Sequence, residues 1–472
     1  MNNNEFIVEI GHSGDHPFVE YIKLVPGEGT DDENANELEA DEGDSKKNYD
    51  ADELSFESLL ESWAQSCHGF LDAFPLFSSV AHYVNHGASG IELIKFLEAV
   101  ATRKESISKE GDDRNYTAYS LGRQHLDFAY RQVVKRRQFE SAEEALSKAQ
   151  LLAVVSEYEA FMADLLRIAI KLTPESFISS SQTVNATAII RGENLEQIRT
   201  SIIEDHISDL QRGSHVDVIK AIFKQLKLNP PDEKSLKEFG EICLRRNTLT
   251  HANGVANKIY RSDMRKLGFR EEEIPSEGER LAIDDGYMRR SIARVFQMGY
   301  FTGQLVWQHL QKHEREKSIK IIINHSHDFL VARYTKICGR LCEFGLNAKS
   351  PAGEIDRAYL IINLALSYLL NDKLSDDQRA EGIRSALSKR DWSIVDSRFA
   401  MALCCVKEEY EIFGELFDAV KDRDFHINDF MGLAIFTKAR TQPIFREKML
   451  EHYGVEISPS DQDAEENMRK DD

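Results

Sequence analysis

Near the middle of the chain, three side chains capable of acid–base and phosphate chemistry fall within six positions. They are Arg246, Asn247 and His251, in the stretch Leu236–Tyr260, LKEFGEICLRRNTLTHANGVANKIY. An imidazole with an ordinary pKa of about 6.5 can give or take a proton at neutral pH. A guanidinium neutralises charge that grows on a phosphate. An asparagine amide orients a ring or binds a ligand edge. The set suits RNA cleavage in which a 2′-hydroxyl attacks the adjacent phosphate. That chemistry requires neither a metal nor a cofactor.

The helix that must carry these residues constrains them. With Phe239 as origin and about 100° per residue, Leu236, Ile242 and Cys243 lie on one face and Arg246 falls about 20° from its centre. A guanidinium on an apolar face needs a carboxylate, a phosphate or carbonyl groups as partner. Glu157 or Glu159 of an earlier helix can supply the carboxylate, in which case Arg246 is a core ion pair. Five residues turn a helix by about 140°, so Arg246 and His251 do not share a face, whereas Asn247 and His251 are neighbours. Two arrangements bring Arg246 and His251 together. The helix ends or distorts before His251, with Asn253-Gly254 as the stop signal, or the motif meets its copy in a symmetric dimer.

The surrounding chain reads as helices. Leu59, Leu60, Trp63, Phe70 and Phe74 keep helical spacing until Pro75, which is expected to interrupt the run. Further helices are expected at Ile91–Val100 and Arg123–Lys135, separated by a charged loop at Ser106–Arg114. Leu151, Val155, Tyr158, Met162, Leu165, Ala169 and Leu172 form one apolar stripe. After Asn229-Pro230-Pro231, Asp232 or Ser235 can cap the motif helix. A helix follows from about Asp285 to Glu314, its inner face lined by Met288, Ile292, Val295, Phe296, Gly299, Tyr300 and Leu305. A second helical block is expected at 327–345, 354–371, 376–390, 396–421 and 428–438, with a short terminal helix. It has a solenoid-like character without a clean repeat. Phe6–Val25 holds a marginal hairpin.

The fold class is therefore all-α. Five regions are expected: an acidic, largely disordered tail at 1–53, a helical region at 54–145, a bundle at 146–314, a C-terminal helical domain at 315–456 and an acidic disordered tail at 457–472. The net charge is −21. The first 53 residues hold 16 acidic against 3 basic groups and the last 16 hold 6 against 2, so the body between them is nearly neutral. That balance leaves room for a specific RNA substrate and argues against broad non-specific DNA binding. The six cysteines sit in apolar patterns, as expected of small buried hydrophobes in a reducing compartment. With no leader-like N-terminus and no run of about 18 apolar residues, a cytoplasmic protein with no membrane segment is expected. P-loop, Rossmann, zinc-protease and kinase signatures are absent.

Arg246-Asn247-Thr248-Leu249-Thr250-His251 is similar to the R-N-x-x-x-H signature of HEPN domains (higher eukaryotes and prokaryotes nucleotide-binding). The segment His251–Tyr260 resembles the turn and tyrosine that follow it in prokaryotic members, and Val155–Phe161 resembles their first long helix. The likeness covers about 146–314. It implies an all-α bundle that dimerises through the motif helices. It also implies a metal-independent endoribonuclease of a toxin or anti-phage system, with Arg246 and His251 as catalytic pair and Asn247 orienting them. Implied partners are an RNA substrate, a second copy of the chain and an antitoxin or sensor protein. Some HEPN domains only bind nucleotides or proteins, and such a scaffold is the alternative.

Overall fold

The computed structural model describes residues 6–11, 21–26, 54–82, 89–109, 112–121, 125–178, 194–348, 353–421 and 423–457. They are mostly helical. The acidic segment 27–53, and the acidic tail from 458 on, lie outside the described residues. The chain divides into two compact units, Leu54–Arg390, and Asp391–Asp472 with Met1–Glu53.

In the larger unit, α1 (Phe56–His82) packs on α3 (Leu126–Leu172) and α9 (Asp285–Leu310). Trp63 is the hub of this core. Its ring stacks on Phe161 of α3 at 5.0 Å and on Phe296 of α9 at 6.2 Å. Its Nε1 donates to the Phe296 carbonyl at 3.1 Å. Gly299 makes this approach possible, because a Cβ there would sit 2.9 Å from Trp63 Nε1.

Against α3 lie α4 (Pro174–Phe177), α5 (Leu195–Gln211) and the motif helix α7 (Glu233–Ala252). The short α6 (His215–Gln225) packs on α5 and α7, and α8 (Lys258–Lys266) follows α7. Beyond α9, α10 (Arg315–Val331), α11 (Thr335–Leu346), α12 (Glu354–Leu369) and α13 (Asp376–Leu387) pack in series. His68 of α1 stacks on Phe329 of α10 at 4.0 Å, which ties this series to the core.

The smaller unit holds α14 (Ser397–Lys407), α15 (Tyr410–Val420), α16 (Ile427–Gly432) and α17 (Pro443–Tyr453) around a cluster of Phe413, Phe417, Phe430, Phe436 and Phe445. Besides short 3-10 turns, the described residues also hold α2 (Ser89–Val100) and two antiparallel strand pairs, β1 (Phe6–Gly11) with β2 (Tyr21–Pro26) and β3 (Ala101–Lys109) with β4 (Asp112–Leu121). All six cysteines are free and buried. Among the described residues no helix is long and apolar enough to cross a membrane.

The structure corrects several expectations. Of the charged stretch expected as a loop, residues 106–109 belong to β3 and 112–114 to β4, with Ile107 opposite Tyr116. The two helices expected across 123–172 are one, because no Gly or Pro interrupts Leu126–Leu172. The boundary placed at 145/146 falls inside it, and the one at 314/315 falls inside the larger unit. Pro75 removes only its own N–H from the helical ladder, and α1 continues to His82. The helix expected at 327–345 breaks at Arg333 and the one at 396–421 breaks at Glu408, both with positive φ. On α9, Leu305 is only half-buried; Val306 and Trp307 turn inward instead. Leu172 ends the α3 stripe exposed.

Candidate functional site

Asp232 begins α7 by accepting from the Ser235 N–H at 2.9 Å, which satisfies one of the unpaired donors of the first turn. Leu236, Phe239, Ile242 and Cys243 are all buried, as the helical wheel requires. Phe239 packs on Tyr158 of α3, with ring centroids 4.9 Å apart. Burial pushes the Cys243 thiol well above its ordinary pKa, so it is an inert core group. One turn on, Arg246 leaves this face at its rim, beside Glu159, the residue after Tyr158.

Arg246 Nη2 donates to Glu159 Oε2 at 2.6 Å, and its Nη1 donates to Asn247 Oδ1 at 3.1 Å. The Arg246 side chain is 19% exposed and that of Glu159 35% exposed. Arg246 Nε has no partner among the described residues. The other Glu159 oxygen, Oε1, lies 2.7 Å from His215 Nε2. Hydrogen bonding from His215 holds the Glu159 carboxyl below its ordinary range; burial opposes this and the Arg246 charge reinforces it. An ionised carboxylate only accepts, so Nε2 is the protonated nitrogen of His215. His215 opens α6 directly after its cap Ser214, and its ring sits 6.2 Å from Tyr158 and 6.4 Å from Phe239.

The motif helix does not end before His251. It runs through Ala252 and stops at Asn253, whose φ of 50° and ψ of 31° are left-handed. Gly254 follows at φ 74°, and its N–H returns to the Thr248 carbonyl at 3.0 Å. Asn253-Gly254 is thus the stop, but it falls after His251, whereas one of the two arrangements required an end before it. His251 stands exposed in the last helical turn. Within one chain the structure brings Arg246, Asn247, Glu159 and His215 together and leaves His251 about 140° away around α7.

The opposite side of α7 is held by a second carboxylate. Glu241 accepts from Arg245 Nε at 2.8 Å, from the Tyr260 hydroxyl at 3.2 Å and from the Tyr287 hydroxyl at 2.9 Å. Arg245 also donates to the Ala282 carbonyl at 2.6 Å and lies 4.1 Å above the Tyr287 ring. This network fastens α8 and the start of α9 to the motif helix, and so fixes where Arg246 and His251 emerge.

Glu159 was one of two carboxylates the sequence offered to Arg246, and Glu157 is exposed. His215 was missed. Its one signal is its place at the head of the α6 apolar face, four and seven residues before the buried Ile219 and Ile222. Comparison of the chain with family models, with curated proteins and with solved structures finds no match.

Proposed function

We propose that the protein is a metal-independent endoribonuclease of HEPN type, acting as a toxin or anti-phage effector in the cytoplasm. The supporting observation is the Arg246 guanidinium, which is anchored on two sides yet keeps donors in reserve. One hydrogen on each Nη is left beyond the bonds to Glu159 and Asn247, while the Nε–H is buried without a partner among the described residues. A fork held in this way can bind a phosphate without reorganising.

In the proposed reaction a base takes the 2′-hydroxyl proton while O2′ bonds to phosphorus and the P–O5′ bond breaks. The departing O5′ is protonated, leaving a 2′,3′-cyclic phosphate and a 5′-hydroxyl. Arg246 neutralises the non-bridging oxygens, and Asn247 holds its plane through Oδ1. His251 exchanges the protons. Because His251 and Arg246 face different directions on one helix, a second copy packed against α7 supplies the complementary group. Val255 and Ile259, four and eight residues beyond His251, are 36% and 72% exposed, an apolar surface suited to that contact. An antitoxin or sensor protein would mask or trigger the same surface.

The test is cleavage of single-stranded RNA by purified protein in the presence of a chelator. Arg246→Ala and His251→Ala should each lose about 10²–10³-fold or more in rate with the fold intact. Wild-type rates in either variant would falsify the assignment.

A second reading, a non-catalytic HEPN scaffold that binds nucleotides or proteins, is favoured by one fact. Glu159 already compensates the Arg246 charge. It predicts ligand-dependent association and no cleavage by the wild-type protein.

A further inference from the structure

We infer that His215 is a positioning residue for Arg246, acting through Glu159; this rests on the RNA-cleavage reading above. A carboxylate turns readily about its terminal bond, where the torsional profile is broad and two-fold. With Arg246 as its sole partner, Glu159 could present either oxygen and the guanidinium would turn with it. Here each oxygen has its own partner: Arg246 Nη2 on Oε2 at 2.6 Å and His215 Nε2 on Oε1 at 2.7 Å. Two partners on two oxygens fix the carboxylate plane.

The anchor is itself fixed. His215 is the first residue of α6, and the Ser214 hydroxyl bonds to Asp217 Oδ2 at 2.7 Å beside it. Tyr158 and Phe239, buried core rings 4.9 Å apart, back the imidazole on one side, and it is 16% exposed. The order of support therefore runs from the core rings to His215, to Glu159, to Arg246, and Asn247 holds the far side of the guanidinium. His215 does not touch the phosphate-facing donors of Arg246. Its effect is on where those donors point.

The experiment measures steady-state cleavage of single-stranded RNA by His215→Ala, His215→Gln, Glu159→Gln and the His215→Ala/Glu159→Gln double variant. Each is assayed well below its melting temperature. A misdirected charge-stabilising group costs about 10²-fold, so His215→Ala should lower kcat by roughly that factor with KM little changed. The glutamine variant retains an N–H that can reach Glu159 Oε1, and it should recover most of the loss. In the Glu159→Gln background, His215→Ala should add little, because both changes break one linkage.

A purely structural histidine would lower the melting temperature without changing kcat per folded molecule, and that result overturns the inference. So does a full further loss in the double variant. If Arg246→Ala is inactive and His215→Ala cleaves like wild type, the inference falls and the ribonuclease reading stands. If Arg246→Ala cleaves like wild type, or the wild type cleaves nothing, both fall together.

Discussion

Arg245 and Arg246 are consecutive residues on α7, turned about 100° from each other, and they meet opposite circumstances. Arg245 is closed in. It donates to Glu241 and to the Ala282 carbonyl and lies flat over Tyr287, while two phenols take further acceptor sites of the same carboxylate. Arg246 also has a carboxylate, but Glu159 is more open to solvent and the guanidinium keeps an unpartnered Nε–H. Both arginines are mostly buried and each makes two hydrogen bonds, so neither burial nor donor count separates them. Their carboxylates do: Glu241 is 13% exposed and accepts from three side chains, whereas Glu159 is 35% exposed and accepts from two. A carboxylate enclosed by three donors holds elements together. One at the rim of the core, open to solvent, leaves its arginine where a ligand can compete for it.

The largest expected effects on stability should fall on the Glu241 side. Glu241→Ala strands the Arg245 charge and leaves two phenols without their acceptor. It should cost about 3–5 kcal/mol, as when one partner of a buried pair is removed, measured by urea unfolding. Arg246→Ala should cost much less, about 1 kcal/mol, because its partner can turn to water. If Arg246→Ala instead costs as much as Glu241→Ala, the two sides are alike and Arg246 is a structural core group.

Tyr287→Phe should cost about 1–3 kcal/mol by leaving a Glu241 lone pair unsatisfied. It also gives the Glu241 side a pH signature. Burial, reinforced by the Glu241 charge, raises the pKa of both Tyr260 and Tyr287 above the ordinary value of 10.0. Their folded-state protons are held where the unfolded chain would release them. The stability they contribute is therefore complete below about pH 10 and is lost as pH rises above it. Replacing both with phenylalanine should flatten the alkaline limb of the stability profile. An unchanged limb would show that other groups govern it.

How far the sequence foretold this site can be read from particular residues. The spacing of Leu236, Phe239, Ile242 and Cys243 predicted the buried face, the position of Arg246 on it and its need for a carboxylate. Glu159 was named because it lies just off a long apolar stripe, and Asn253-Gly254 was legible as the helix stop. These are local patterns with a fixed period. His215 was not legible, because its role comes from a contact 56 residues away in sequence. The network of Glu241 with Tyr260 and Tyr287 was hidden for the same reason. The breaks at Arg333 and Glu408 were missed because neither position carries the glycine or asparagine that marks left-handed backbone. The paired strands β3 and β4 were missed because their charges read as a solvated loop.

The smallest effect sharpens the comparison from the acid side. Glu159 has a lowered pKa in the fold, through His215 first and then Arg246. The unfolded chain takes up the proton first as pH falls. The stability Glu159 contributes is thus present above about pH 4.5, where a free glutamate ionises, and is lost as pH drops through its lower folded value. Solvent screening at a carboxylate this exposed limits the contribution to about 1 kcal/mol or less. Glu159→Gln should therefore barely alter the acid limb of the stability profile while slowing RNA cleavage as strongly as His215→Ala. A small effect on the fold and a large one on the reaction, from one substitution, is what distinguishes this side of α7. An acid limb that shifts by several kcal/mol in Glu159→Gln would place Glu159 with Glu241 as a structural carboxylate.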